Sequence, residues 1–208
     1  DGSGLLFGTY DSKSSAGTWV MPFKANGQAG AITGVTPPAS GSDILRDATV
    51  WSNGYVIVGG ADYPEAESIY VARITADGTT ADSATIVSGG AAWATHVLVA
   101  ADHDLVVLGQ EFVQGNAALF LMRVDPIALT PRWRRSLTQP GAALTALGGE
   151  ALLGLPDGGW LVSGARKALG VTQPMVVRAD AWGFADCAAA GKCVGVTQAT
   201  CNGGKTCV

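Results

Sequence analysis

The sequence predicts an all-β fold made of repeated antiparallel strands. Three observations carry that reading. Two sets of apolar landmarks recur at the same intervals, turn residues rich in Gly and Asp bound each run, and no stretch sustains an apolar period of 3.6 over three turns. The composition agrees: 29 of 208 residues are Gly, 48% are hydrophobic and only 14% are charged. A chain this apolar can fill a core, and at this length it can bury roughly 70% of the surface its unfolded form exposes.

The first landmark is an apolar run ending in Gly: Leu5-Leu6-Phe7-Gly8, Tyr55-Val56-Ile57-Val58-Gly59, Leu105-Val106-Val107-Leu108-Gly109 and Trp160-Leu161-Val162-Ser163-Gly164. The terminal glycines are 51, 50 and 55 residues apart. The second landmark follows about a dozen residues later: Trp19 to Phe23, Tyr70 to Ile74, Phe120 to Val124 and Met175 to Ala179. Its first residues are again 51, 50 and 55 apart, so two independent markers give one repeat. Turns precede and follow these runs, among them Ser52-Asn53-Gly54, Asp102-His103-Asp104, Asp157-Gly158-Gly159, Asn26-Gly27 and Asp77-Gly78. Such pairs supply the positive φ that tight hairpins require.

Two further strands complete each copy. Before the first run lie Ile44 to Trp51, Trp93 to Ala100 and Glu150 to Leu155; after the second lie Ala31 to Val35, Ala84 to Ser88 and Arg132 to Leu137. Four antiparallel strands per 50 residues match a propeller blade. The expectation is a β-propeller-like body over residues 1–185, divided at about 1–40, 41–90, 91–140 and 141–185, followed by a Cys-rich tail at 186–208. The first copy lacks an innermost strand. It reads as a piece of a longer propeller, or as a ring closed by a strand from another segment. Asp1 in first place, without a signal-peptide pattern, gives the expectation of a processed or truncated product.

The clearest copy joins Gly54-Tyr-Val-Ile-Val-Gly-Gly-Ala61 to Ile69-Tyr-Val-Ala-Arg-Ile-Thr-Ala-Asp-Gly78. This pattern resembles the repeats of bacterial secreted β-propellers, including the delta-60 type and the quinoprotein-dehydrogenase-like group. The resemblance spans residues 1 to about 185 and implies a fold and an exported life more than an activity. The tryptophan-docking signature of quinoprotein enzymes, the sialidase Asp-box and the WD dipeptide are all missing from the sequence, and Pro22 stands where the other copies carry Arg.

The four cysteines, Cys187, Cys193, Cys201 and Cys207, are spaced C-x5-C-x7-C-x5-C in a segment with few large apolar residues. The symmetry favours two local disulfides, Cys187–Cys193 and Cys201–Cys207, with zinc and free thiols as the other readings. Disulfides imply the cell surface, the extracellular space or the periplasm.

The other candidate groups each carry a scaffold reading beside a functional one. Arg73, Arg123 and Arg178 hold one repeat position; they either ring an anion site or pair within their own or the next blade. Trp51 and Trp182 lie beside turns, where exposed rings would suit a sugar, and Trp133 lies in the basic run Arg132-Trp133-Arg134-Arg135. That run is either a polyanion site or an outer edge strand guarded by charge. His103, flanked by Asp102 and Asp104, is either a base or a hairpin turn, and His96 falls in a strand. Asp62, Asp77, Asp82, Asp102, Asp104 and Asp157 read as turn formers, since none builds an Asp-x-Asp-x-Asp-Gly calcium loop.

No nucleophile elbow, zinc-protease helix or phosphate loop occurs in the sequence, so no catalytic residue, metal or cofactor is expected. A net charge of −4 without basic blocks argues against nucleic acid, and no apolar run approaches the roughly 18 residues of a membrane helix. The expected role is a non-catalytic exported surface, interaction or structural module, with a protein or glycan partner, self-assembly or further blades of a longer chain. A carbohydrate-binding propeller and a fragment of a secreted propeller enzyme are the alternatives.

Overall fold

The computed structural model describes residues 4–12, 15–35, 43–62, 67–86, 91–113, 116–137, 149–168, 171–184, 200–201 and 205–206. Strands β1 Gly4–Ser12, β2 Ser15–Phe23 and β3 Thr33–Val35 form sheet I; β4 Asp43–Trp51, β5 Gly54–Asp62, β6 Glu67–Thr75 and β7 Thr80–Ile86 form sheet II. Strands β8 Ala92–Val99, β9 Leu105–Val113, β10 Asn116–Val124 and β11 Pro131–Leu137 form sheet III, and β12 Gly149–Gly154, β13 Trp160–Ala168 and β14 Val171–Ala179 form sheet IV. Every sheet is an antiparallel meander in chain order, and the described residues contain no helix. A separate small hairpin pairs β15 Thr200–Cys201 with β16 Lys205–Thr206.

The repeat becomes a register. Gly8 lies opposite Trp19, Gly59 opposite Tyr70, Gly109 opposite Phe120 and Gly164 opposite Met175. Both sequence landmarks are therefore one cross-strand pair, seen four times. A Cβ at Gly8 would sit 2.7 Å from the Trp19 ring, and one at Gly109 would run into both the Phe120 ring and the Trp93 carbonyl. In sheets I and III the ring covers its glycine, so a residue without a Cβ fits beneath it.

The innermost strands add a second repeated device. The register slips by one residue between Leu45 and Asp47, between Ala94 and His96, and between Gly149 and Ala151. The residues preceding the slips, Leu45, Ala94 and Gly149, pair with Gly59, Gly109 and Gly164. Each bulge thus abuts the terminal glycine of its copy, bending the inner strand where the chain has no side chain to obstruct it. These inner strands also approach one another, with β8 lying against both β4 and β12.

Successive sheets stack face to face through three apolar layers. Leu5, Phe7 and Val20 of sheet I meet Tyr55, Ile57, Tyr70 and Ala72 of sheet II. Val56, Val58, Ile69 and Val71 of sheet II meet Val107, Phe120 and Met122 of sheet III. Val106, Leu108, Leu119 and Leu121 of sheet III meet Trp160, Val162, Met175 and Val177 of sheet IV. Alternate residues of one strand serve opposite layers, so sheets II and III bury both faces and their strands read as unbroken apolar runs.

The sequence-derived strands differ mainly at their ends. β7 starts at Thr80, four residues before the expected Ala84, because Asp82 pairs across the sheet with Arg73 and extends the ladder. Asp62 and Asp82 accordingly belong to strands and not to turns. Among the described residues, sheet I shows no strand inside β1, in line with the expectation, and sheet IV shows three strands. The disulfide reading of Cys187, Cys193, Cys201 and Cys207 lies outside the described residues, apart from the backbone of Cys201 in β15.

The glycine lock gives a direct prediction. Gly109→Ala should destabilise the chain by about 1–3 kcal/mol through overpacking against Phe120. Gly34→Ala on the exposed face of β3, where a Cβ meets nothing within 4 Å, should be neutral or slightly stabilising. Urea unfolding of the two variants checks this; equal effects would sink the lock.

Candidate functional site

In a meander the first and third hairpins emerge at the same end, so the turns at 52–53, 76–79, 101–104, 126–130, 156–159 and 181–183 share one rim. Most close in one way. The N–H of Gly27, Gly78, Gly158 and Gly183 donates to the carbonyl three residues back, and each of these glycines has φ between 78° and 88°. His103 holds the same position in its turn at φ 70°, donating its N–H to the Ala100 carbonyl. It is one of the residue types that enter this region, at a cost glycine avoids.

Aspartates brace these turns. Asp157 accepts the Gly159 N–H at 3.0 Å, and Asp180 accepts the N–H groups of Trp182 and Phe184, each at 2.9 Å. Asp125 accepts from Ile127 and Ala128 at 2.8 and 2.9 Å, and these two backbone donors, more than Arg132, hold its carboxyl below the usual range. The Asp77 carboxyl is lowered chiefly by the Thr75 hydroxyl and then by Thr79. For Asp157 the Gly159 N–H is the leading cause, with Arg178 adding to it.

Register also places the repeated arginines. Arg73, Arg123 and Arg178 lie opposite Val56, Val106 and Leu161, the second apolar residue of each copy, and Pro22 lies opposite Leu5. Each arginine is engaged by a carboxylate of its own sheet. Arg178 pairs with Asp157, and Arg123 pairs with Asp102 and, at 2.9 Å, with Asp104. The shorter turn of sheet II has Ser52-Asn53 in place of an aspartate, and Arg73 reaches Asp82 on β7 at 3.0 Å instead. The structure therefore gives each of the three arginines a carboxylate partner within its own sheet. Pro22 packs beneath the turn of the next sheet, where a Cβ at Gly78 would come within 2.8 Å of it.

The basic run is consumed in the same way. It forms β11, the edge strand of sheet III. Arg132 bonds Asp104 and Asp125 at 2.9 and 2.8 Å, and Arg134 bonds Glu111 at 2.5 Å while stacking 4.2 Å above Phe120. Burial lowers the Arg134 pKa, opposed by the charge of Glu111. Arg135 lies 4.7 Å over the Phe184 ring.

The tryptophans separate. Trp133 packs against the layer between sheets III and IV. Trp51, expected beside a turn and open to solvent, packs instead on the layer between sheets II and III, and its Nε1 donates to the His103 carbonyl at 3.2 Å. Its ring thereby bridges sheets II and III. Trp182 alone of the three stands out, at 64% exposure, and borders a groove of about 210 Å3 with Asp157, Arg178, Asp180 and Ala181. A second cleft of about 500 Å3 opens on the same rim between sheets III and IV, lined by Leu98, Ala100, Asp102, Arg123, Leu153 and Trp160.

One pair escaped the sequence reading. His96 Nδ1 lies 3.5 Å from Asp47 Oδ2, joining the inner strands of sheets II and III just past their bulges. Asp47 and His96 occupy one repeat position, each paired with the residue before the terminal glycine, and aligning the copies would have shown it. Asp47 also accepts the N–H groups of Ala48 and Val97 at 2.8 and 2.9 Å. Its oxygens are committed to clamping β4 on β8, which is a scaffold task. No group of three metal-ligating side chains occurs among the described residues.

No protein-family model and no curated protein matches the chain. A solved structure does: an endo-arabinase from Bacteroides thetaiotaomicron VPI-5482 is similar at a TM-score of 0.52 and 8% identity, over 92% of this chain and 73% of that one. At that identity the likeness shows the fold, which is a propeller-type stack of antiparallel sheets.

Two predictions follow from the rim. His103→Gly relieves the positive φ and should raise stability by about 0.5–1 kcal/mol, measured by urea unfolding; a loss of stability would show that the imidazole makes a structural contact there. The carboxyls of Asp77, Asp125 and Asp157 sit below their ordinary value of 3.8 in the folded chain. Their contribution is complete above that value and is lost as pH falls through the lowered ones. The melting temperature should hold from pH 7 to about 5 and drop below about pH 4, more shallowly in Asp157→Asn; a midpoint indifferent to acid would refute the assignment.

Proposed function

We propose that the chain is an exported, non-catalytic module of a β-propeller that works as a surface, interaction or structural element. The observation that carries this reading is the state of the two end sheets. Leu153 and Val176 of sheet IV are 56% and 58% exposed, and Leu6 and Tyr10 of sheet I are 49% and 48% exposed. Exposed apolar side chains grouped on one sheet face suit a contact surface. The repeated arginines support the same reading, because their charge is spent within their own sheets. Export rests on the Cys-rich end of the sequence, and the blade-like repeat on the resemblance to secreted propellers.

Trp182 favours a second reading, a carbohydrate-binding propeller. An exposed indole can stack on the apolar face of a sugar while Asp157, Arg178 and Asp180 beside it offer acceptors and donors to hydroxyls. The enzyme-fragment alternative gains from the structure only a fold-level likeness.

One experiment sorts these. The purified chain is incubated with a panel of polysaccharides, including arabinan, and printed on a glycan array. No turnover is expected, and turnover would overturn the non-catalytic reading. Retention of one glycan class that Trp182→Ala lowers at least tenfold would establish the second reading over the first.

A further inference from the structure

We propose that the cleft between sheets III and IV binds a small, neutral, flat aromatic molecule that carries a hydrogen-bond acceptor. Such a site goes beyond the surface role and does not depend on it.

The repeat shows what a space of this kind holds. Trp51 and Ala100 occupy one register position, the inner-strand residue after Val50, paired with Tyr55, and after Val99, paired with Leu105. Between sheets II and III, Trp51 lays its ring on the apolar layer and donates to the His103 carbonyl. Between sheets III and IV, Ala100 offers only a methyl group to the equivalent space. The opposite wall changes as well. Gly154 pairs with Trp160 as Val99 pairs with Leu105, so the inner strand loses a valine side chain where the next strand gains an indole. Two side chains shrink and one grows, and a cleft of about 500 Å3 remains. That volume falls within the roughly 300–1,000 Å3 typical of small-molecule sites. Its walls are the two faces that sheets III and IV turn towards each other.

The lining sets the ligand class. Leu98, Ala100, Gly154 and Ala181 give it an apolar surface, and Trp160 adds a ring. Trp160 is 5% exposed, and its Nε1 has no hydrogen-bond partner among the described residues. A donor buried in that way is costly, and a ligand acceptor that reaches it removes the cost. A Cβ at Gly154 would lie 3.5 Å from the Trp160 ring, so no β12 side chain covers the ring at that pair. An aromatic ligand can pack there, offset or edge to face. The charges of the lining, Arg123 and Asp102, are paired with each other, and Arg123 also bonds Asp104 at 2.9 Å. They call for no further counter-ion, so the ligand is neutral.

Three probes test this. Quinoline is flat and accepts through one ring nitrogen, benzene is flat without an acceptor, and cyclohexanone accepts without being aromatic. Each is titrated to about 10 mM into the 15N-labelled full chain while the indole signals of its 6 tryptophans are followed by NMR. The Trp160 signal is the one missing from Trp160→Phe. Quinoline should move it downfield and saturably, together with the amides of Ala100 and Gly158, while the Trp182 signal stays in place. Benzene should bind roughly three- to tenfold more weakly, the difference one net hydrogen bond makes, and cyclohexanone at least tenfold more weakly. Ala100→Trp gives sheet III the side chain that sheet II has at this position, and it should lower quinoline affinity at least tenfold. If that variant loses its strand signal by circular dichroism, Ala100→Leu replaces it with a loss of affinity still required. Absence of a saturable shift at Trp160 would overturn the proposal. So would shifts confined to Trp182, an unchanged affinity in the variant that fills the cleft, or equal binding of the three probes.

Discussion

The rest of the structure depends on where the glycine falls beneath its ring. Gly109 is pressed by Phe120 from one neighbouring strand and by the Trp93 carbonyl from the other, beside the slip in β8. That contact sets the pairing of three strands at once. A slip of one residue would exchange the two faces of a strand, and in sheets II and III both faces are core. The lock therefore decides which residues meet which layer. A fully buried Val, Leu, Ile or Phe contributes about 1.5–3 kcal/mol, so misregister would cost many such residues together.

The charged rim is weaker by comparison. The exposed pair Arg178–Asp157 is screened by water and salt and contributes little. Arg123 is held more deeply, between Asp102 and Asp104, and Arg132 extends that row to Asp125. These pairs lie at strand ends, where the layers open to water, and their aspartates also cap backbone N–H groups in the turns. A chain whose inner sheets hide both faces has only rims and outer edges on which to place charge. The low charged fraction is thus a consequence of the stacking.

Much of the scaffold was legible because its signals are local. Tyr55 to Gly59 and Tyr70 to Ile74 announce strands through side-chain type and the turns around them, and matched spacing of Gly and ring residues revealed four copies. The features that stayed hidden depend on distant partners. The bulge at Thr95 leaves no mark in the sequence because it answers to the glycine of another strand. Trp51 looked exposed beside its turn until the His103 carbonyl, from the next sheet, gave its indole a partner. The start of β7 was missed because Asp82, a residue of turn character, is drawn into the ladder by Arg73. His96 and Asp47 were unremarkable singly and meet only when inner strands are set side by side.

The same alternation that builds the layers gives the stack a direction. One face of each sheet carries the Arg or Pro position and the other carries the terminal glycine and the large side chain opposite it, so a sheet is not symmetric front to back. Only unlike faces reproduce the fit of rings against aliphatic side chains already present between sheets II and III. The direction of stacking is therefore written into single residues, in the placement of one glycine per repeat and of an arginine in three of the four.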